Sequence, residues 1–158
     1  GVQEGEKLYI IDEISKQKDT DALAQELRRR YPSNKILIYP DASGSARSTI
    51  NASKTDIAIL ESYGFTSMAL RSNPPIKDRV ATVQAMLENS KGRVRMEIHA
   101  SCRRLIECLE LQSYDERTGD PDKQNGYDHM NDALGYLIYR EFNMVYSRAG
   151  ARTGIRIY

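Results

Sequence analysis

The sequence predicts a single α/β domain on a largely parallel sheet, and three observations carry that expectation. Short β-rich segments alternate with amphipathic helical ones, the order that gives parallel strands and covering helices. One segment, KILIY at Lys35–Tyr39, is a continuous apolar run, as in strands covered on both faces. The 158 residues are 40% hydrophobic and 28% charged, a globular balance with enough chain for one core.

The elements follow in order. KLYIIDEI (Lys7–Ile14) is apolar and β-rich, a strand. DTDALAQELRRRY is a helix capped at Asp19 or Thr20, with Leu23, Leu27 and Tyr31 at helical spacing. After KILIY comes SKTDIAILESYG, a helix opened by a Ser53–Asp56 capping box and stopped at Gly64. FTSMALR (Phe65–Arg71) is a short strand. Asn73-Pro74-Pro75 leads into a helix with Ile76, Val80, Val83 and Leu87 on one face. GRVRMEIH alternates, with Val94, Met96 and Ile98 on one side, and predicts a half-exposed strand. SCRRLIECLELQSY is a helix with Cys102, Leu105, Ile106 and Leu109 inward. The polar DERTGDPDKQNGYD is a loop, and HMNDALGYLIYREF is the last long helix. No internal repeat or low-complexity tract is present.

Composition removes several function classes. The net charge is +1, so a nucleic-acid partner requires a local basic patch. Two cysteines, Cys102 and Cys108, without CxxC pairs, argue against a disulfide scaffold or zinc site and fit a reducing compartment. Their six-residue spacing puts them on different helix faces, as packing residues. No apolar run approaches a membrane span, and no signal peptide is present. The chain begins with Gly rather than Met, which leads us to expect a piece of a longer protein.

Few residues carry chemistry. Asp41 lies just past the KILIY strand, where ligands bind in open α/β sheets. It is also the residue type that builds an Asx turn with Ser43 and Gly44. Asp128 and Asp132 are four apart and share a helix face, where like charges repel. Asp128 suits a helix start. Asp132 lies among Met130, Ala133, Leu134 and Leu137, where an aspartate is costly to bury. One reading is a cap and a solvated carboxylate. The other is a pair whose repulsion a hard divalent cation turns into coordination.

KLYIIDEI, YPDASG, GF, NPPIKDR and GYDHMNDALGYLIYR, in this order and spacing, resemble the C-terminal nuclease domain of phage terminase large subunits. The resemblance covers roughly Lys7 to Phe142. The last motif is the most specific, followed by YPDASG; the DA of the final helix is also similar to Holliday-junction resolvases. It implies a ribonuclease H-like mixed sheet flanked by helices, with residues 1–158 as one nuclease domain and 143–158 as a tail. It implies a metal-dependent endonuclease that cuts concatemeric phage DNA during packaging, with two Mg²⁺ or Mn²⁺ ions held roughly 4 Å apart. Asp41, Asp128 and Asp132 match the family's acidic positions. His129, between the last two, is expected to be exposed. Asp12 and Glu13 end a strand with a structural role.

Other implications follow from the same resemblance. The partners are double-stranded DNA, the terminase ATPase domain, the small terminase subunit and the portal, in the bacterial host cytoplasm and with no membrane. Lys77, Arg79, Arg47, Lys54 and Lys123 are the candidate DNA-binding cations, each with the more ordinary alternative of a solvated surface charge. The family's first strand, with its essential aspartate, is expected before Lys7, yet only GVQEGE precedes it here. One metal-binding aspartate and a central strand are therefore expected to lie outside this chain, leaving weak metal binding and poor cutting. Strand edges so exposed invite pairing by the tail GIRIY (Gly154–Tyr158) or by a second copy as a homodimer. No GxxxxGK[ST] motor motif is present. The rival readings are a catalytically silent docking or DNA-binding domain, and a nucleotide-binding domain using DASGS as a phosphate loop. The second has too few glycines and an acid where phosphate would sit.

Overall fold

A computed structural model describes residues 1–42 and 55–142, and the backbone of Arg156–Ile157. The chain forms two compact units, one of residues 1–13 and 74–156, the other of 14–73 with 157–158.

The first unit is built on β1 (Val2–Glu4), β2 (Lys7–Ile10) and β5 (Met96–Ile98). β1 and β2 make an antiparallel hairpin with Gln3 opposite Leu8. The turn between them uses Gly5 at φ +60, a left-handed value that favours glycine. β2 pairs parallel with β5, Leu8 opposite Met96 and Ile10 opposite Ile98, so the sheet is mixed. Its strand order is β5-β2-β1-β6, where β6 is Arg156–Ile157.

Period-two patterning aims Leu8 and Ile10 of β2 into the core and leaves Tyr9 half-buried. Three helices supply the rest: α3 (Ile76–Leu87), α4 (Arg103–Leu111) and α5 (Asp128–Phe142). Val83 and Met86 of α3, Leu105 of α4, and Leu134 and Ile138 of α5 close over Leu8, Ile10 and Met96. Cys102 and Cys108 are both fully buried, as packing residues should be, and burial pushes both thiols up. Cys102 precedes α4 rather than lying within it.

The second unit contains α1 (Thr20–Arg30), β3 (Leu37–Ile38), α2 (Asp56–Ser62) and β4 (Thr66–Ser67), with β3 and β4 parallel. Asp19 caps α1 by accepting from the Ala22 N–H at 2.8 Å. Ala24, Ile36, Leu60 and Phe65 form its core. Arg28 ties the unit together. Its Nη2 donates to the Tyr63 carbonyl at 2.9 Å, its Nη1 donates to the carbonyls of Tyr31, Pro32 and Asn34, and its guanidinium lies over the Phe65 ring.

Several elements are shorter than the sequence suggests. KILIY contributes only Leu37 and Ile38 to a strand, both half-buried, because β4 offers just Thr66 and Ser67 as partners. GRVRMEIH pairs only over Met96–Ile98, and Val94, ahead of the paired stretch, is exposed. The cap of α2 is Thr55, whose Oγ1 accepts from the Ala58 N–H at 3.1 Å. Asp56 is therefore the first helical residue and cannot be the third-position partner of a capping box. Ser53, with residues 43–54 generally, lies outside the described residues.

Glu13, just past β2, has the structural role expected of it. Its carboxylate accepts from the Arg104 N–H at 3.0 Å and the Leu105 N–H at 2.8 Å. These are the second and third amides of α4, which have no partner within the helix, and Cys102 at the cap position makes no side-chain hydrogen bond to them. Replacing Glu13→Ala strands both donors. The expected cost is about 1 kcal/mol, read as a lower urea midpoint at unchanged m-value; an unchanged midpoint would show that the cap contributes nothing.

Candidate functional site

The candidate site of the first unit lies at the start of α5, and a chain of contacts fixes where α5 begins. Glu13 holds the first turn of α4. Arg104, in that turn, donates to the Gly126 carbonyl at 3.1 Å and lies over the Tyr127 ring at 5.0 Å. Asn125 Oδ1 accepts from the Tyr127 N–H at 3.2 Å, an Asx turn, and Gly126 has φ +69. Asp128 follows directly as the first residue of α5.

Asp128 is 5% exposed. Its Oδ1 is buried and has no hydrogen-bond partner among the described residues. Its Oδ2 lies 3.9 Å from Nδ1 of His129, whose side chain is 85% exposed, as expected. An orphaned carboxylate oxygen is costly, because a buried acceptor forfeits its hydration. Asp128 is thus neither a solvated surface charge nor fully paired.

Asp132, one turn on, meets a different neighbour. Its Oδ1 accepts from Nη2 of Arg79 at 2.6 Å, an ion pair with Arg79 4% exposed. Burial pushes the Asp132 carboxyl up; Arg79 and then Lys123 oppose that, Asp128 adds to it, and His129 opposes it. Oδ2 of Asp132 makes no hydrogen bond among the described residues.

Arg79 is the main correction to the sequence reading, which placed it among surface cations available to DNA. The structure buries it between α3 and α5. Its guanidinium carbon stands 4.5 Å from the Tyr136 ring centroid. Its stem lies against Gly135: a Cβ there would come within 2.6 Å of Arg79 Cγ and 2.7 Å of Cδ. Nothing in a helical pattern of Ile76, Val80 and Val83 marks Arg79 as core. The available signal was the pairing of an arginine on one helix with an Asp-x-x-Gly on another.

Arg79 and Asp132 also line a cleft of about 220 Å³ with Val83, Leu109, Gln112 and Asn131. Asn131 donates to the Cys108 carbonyl at 2.9 Å, which links α5 to α4, while its buried Oδ1 has no partner among the described residues.

The other candidates stand as follows. Lys77, on the first turn of α3, and Lys123, in the loop before α5, are exposed. Asp41 belongs to the second unit, where it is the third residue after β3 and is half-buried; the next amide, of Ala42, donates to Asn73 Oδ1 at 2.7 Å. Arg47, Lys54 and most of the DASGS segment lie outside the described residues. Among the described residues, no group of three His, Cys, Asp or Glu side chains is placed to hold a metal ion. No helix among them is long and apolar enough to cross a membrane.

The donors at the start of α5 suit a hard cation. They are carboxylate oxygens, and one of them is buried without a hydrogen-bond partner among the described residues. A family model described as Terminase RNaseH-like domain matches residues 2–141. No curated protein and no solved structure matches the chain.

The fit of Gly135 to Arg79 gives a prediction of unusual sign. Gly→Ala inside a helix ordinarily stabilises by about 1 kcal/mol. Here Gly135→Ala is expected to destabilise by roughly 1–3 kcal/mol, because the new methyl displaces the Arg79 stem in a packed core. Urea unfolding measures it, and a stabilised variant would contradict the packing.

Proposed function

The chain belongs to the terminase RNaseH-like domain family, and on that premise we propose that it is a divalent-metal-dependent DNA endonuclease acting in genome packaging. The observation that supports this most is Asp128, buried at a helix start with an unpartnered oxygen. Ion-paired acids explain themselves, whereas a buried carboxylate lacking a donor calls for a cation.

In this reading Asp128 and Asp132 are metal ligands on one face of α5, and the resemblance of YPDASG assigns Asp41 the same role. Mg²⁺ or Mn²⁺ held there supplies activation of the attacking water and stabilisation of the leaving 3′ oxygen. The rest is the work of side chains. Ionised carboxylates hold the cations, and Arg79 counters the loss of hydration that burial imposes on Asp132. Lys77 and Lys123, exposed and positively charged, attract the phosphate backbone. Double-stranded DNA is the substrate, and the other components of the packaging motor are the partners.

The test is plasmid nicking in Mn²⁺, comparing this chain with Asp128→Asn. Asparagine keeps the shape and removes the charge. Cutting by this chain is expected to be slow, in line with the poor cutting expected above, to require Mn²⁺, and to fall by at least about a hundredfold in Asp128→Asn, a loss of roughly 3 kcal/mol in barrier lowering. Equal cutting by the two proteins, or none by either with the fold intact, would favour a silent docking domain.

A further inference from the structure

We infer that Arg79 is a positioning residue of the metal site, fixing Asp132 through Oδ1 so that Oδ2 is presented to a cation. This rests on the nuclease reading above and assigns a role to a residue that touches neither metal nor DNA.

Four observations carry it. First, Arg79 is 4% exposed and donates to Asp132 Oδ1 at 2.6 Å, a charge-assisted bond. Second, the bond uses one carboxylate oxygen and leaves the other without a hydrogen bond among the described residues. A carboxylate held this way keeps one oxygen for a ligand while its rotamer is locked from behind. Third, Arg79 is itself held. Gly135 leaves room for its stem, and the Tyr136 face receives its guanidinium. Gly135 and Tyr136 come directly after the Asp132 turn on α5, so the same helix supplies the acid and the seat of its partner. Fourth, Asp128 precedes Asp132 by one turn, and the two repel. A fixed cation behind Asp132 offsets that repulsion before any metal arrives.

A buried arginine could instead be only a packing element. The distinction is measurable, because groups that orient metal-binding carboxylates typically change metal affinity by 10–100-fold when removed, whereas a packing role changes stability alone. Arg79→Met keeps the unbranched stem against Gly135 and Tyr136 and deletes the charge and donors. Arg79→Lys keeps the charge and loses the planar fork.

The experiment is Mn²⁺ titration by calorimetry on the unaltered chain, Asp128→Asn, Arg79→Met and Arg79→Lys, with the unfolding midpoint of each recorded without metal. The expected result is binding to the unaltered chain, loss in Asp128→Asn, a 10–100-fold weaker affinity in Arg79→Met, and an intermediate value in Arg79→Lys. Should Arg79→Met fail to fold, Arg79→Lys decides alone: weaker binding supports the inference, and unchanged binding overturns it. Binding lost in Asp128→Asn but unchanged in Arg79→Met would overturn the positioning role and leave the nuclease reading standing. Tighter binding in Arg79→Met would also overturn it, since Arg79 would then compete with the metal for Asp132. No Mn²⁺ binding by the unaltered chain would overturn both.

Discussion

A guanidinium taken out of water is tolerated only with a counter-charge and satisfied donors, because its lost hydration is worth several kcal/mol. Arg79 has its counter-charge in Asp132, to which its Nη2 donates, and its guanidinium lies over the Tyr136 face. The requirement sets the packing of α3 on α5. It places glycine at position 135, and it fixes how far apart the two helices stand at the level of Asp132. Breaking such a pair on one side leaves an uncompensated charge, typically a loss of 3–5 kcal/mol. The contact is therefore stringent even though a hydrophobic pair of similar volume would pack at no greater cost.

From this pair the logic of the α5 face follows. Two carboxylates one turn apart are given opposite treatments. Asp132 has its cation built into the protein, whereas Asp128 is buried with an oxygen left open. Positioning of that open oxygen begins at the sheet. Glu13, three residues past β2, caps α4, and Arg104 of α4 pins Gly126 and Tyr127, the two residues before α5. The strand end thus reaches Asp128 through two arginine- and carboxylate-mediated steps, each a charged hydrogen bond rather than an apolar contact.

Much of the architecture was legible in the sequence. The alternation of strands and helices, the extent of α3 and α5 and the Asp19 cap follow local rules of periodicity and capping, and the packing role of both cysteines follows from their residue type. Strand lengths did not, since a strand extends only as far as its partner does: KILIY looks long and pairs over two residues. The acids of α5 were visible as an unfavourable pair, and the resemblance gave them a role. Which acid was buried was not visible. Asp132, surrounded in sequence by apolar residues, looked the more enclosed, but Asp128, the first residue of α5, proves deeper. Arg79 was misjudged because arginine is normally exposed, and only a partner on a distant helix makes its burial possible. Such pairings over long sequence separation leave little trace in local pattern.

The central claim is that α5 holds a buried carboxylate at Asp128, one oxygen of which has no hydrogen-bond partner among the described residues, beside a carboxylate fixed by Arg79 at Asp132. The most direct measurement is a crystal structure with Mn²⁺ soaked in, using the anomalous signal to locate the ion. The account predicts an anomalous peak at Asp128, with Asp132 Oδ1 still bonded to Arg79 and Oδ2 turned toward the ion. Arg79 turned out to solvent, or an empty Asp128 whose Oδ1 accepts from a protein donor, would contradict it.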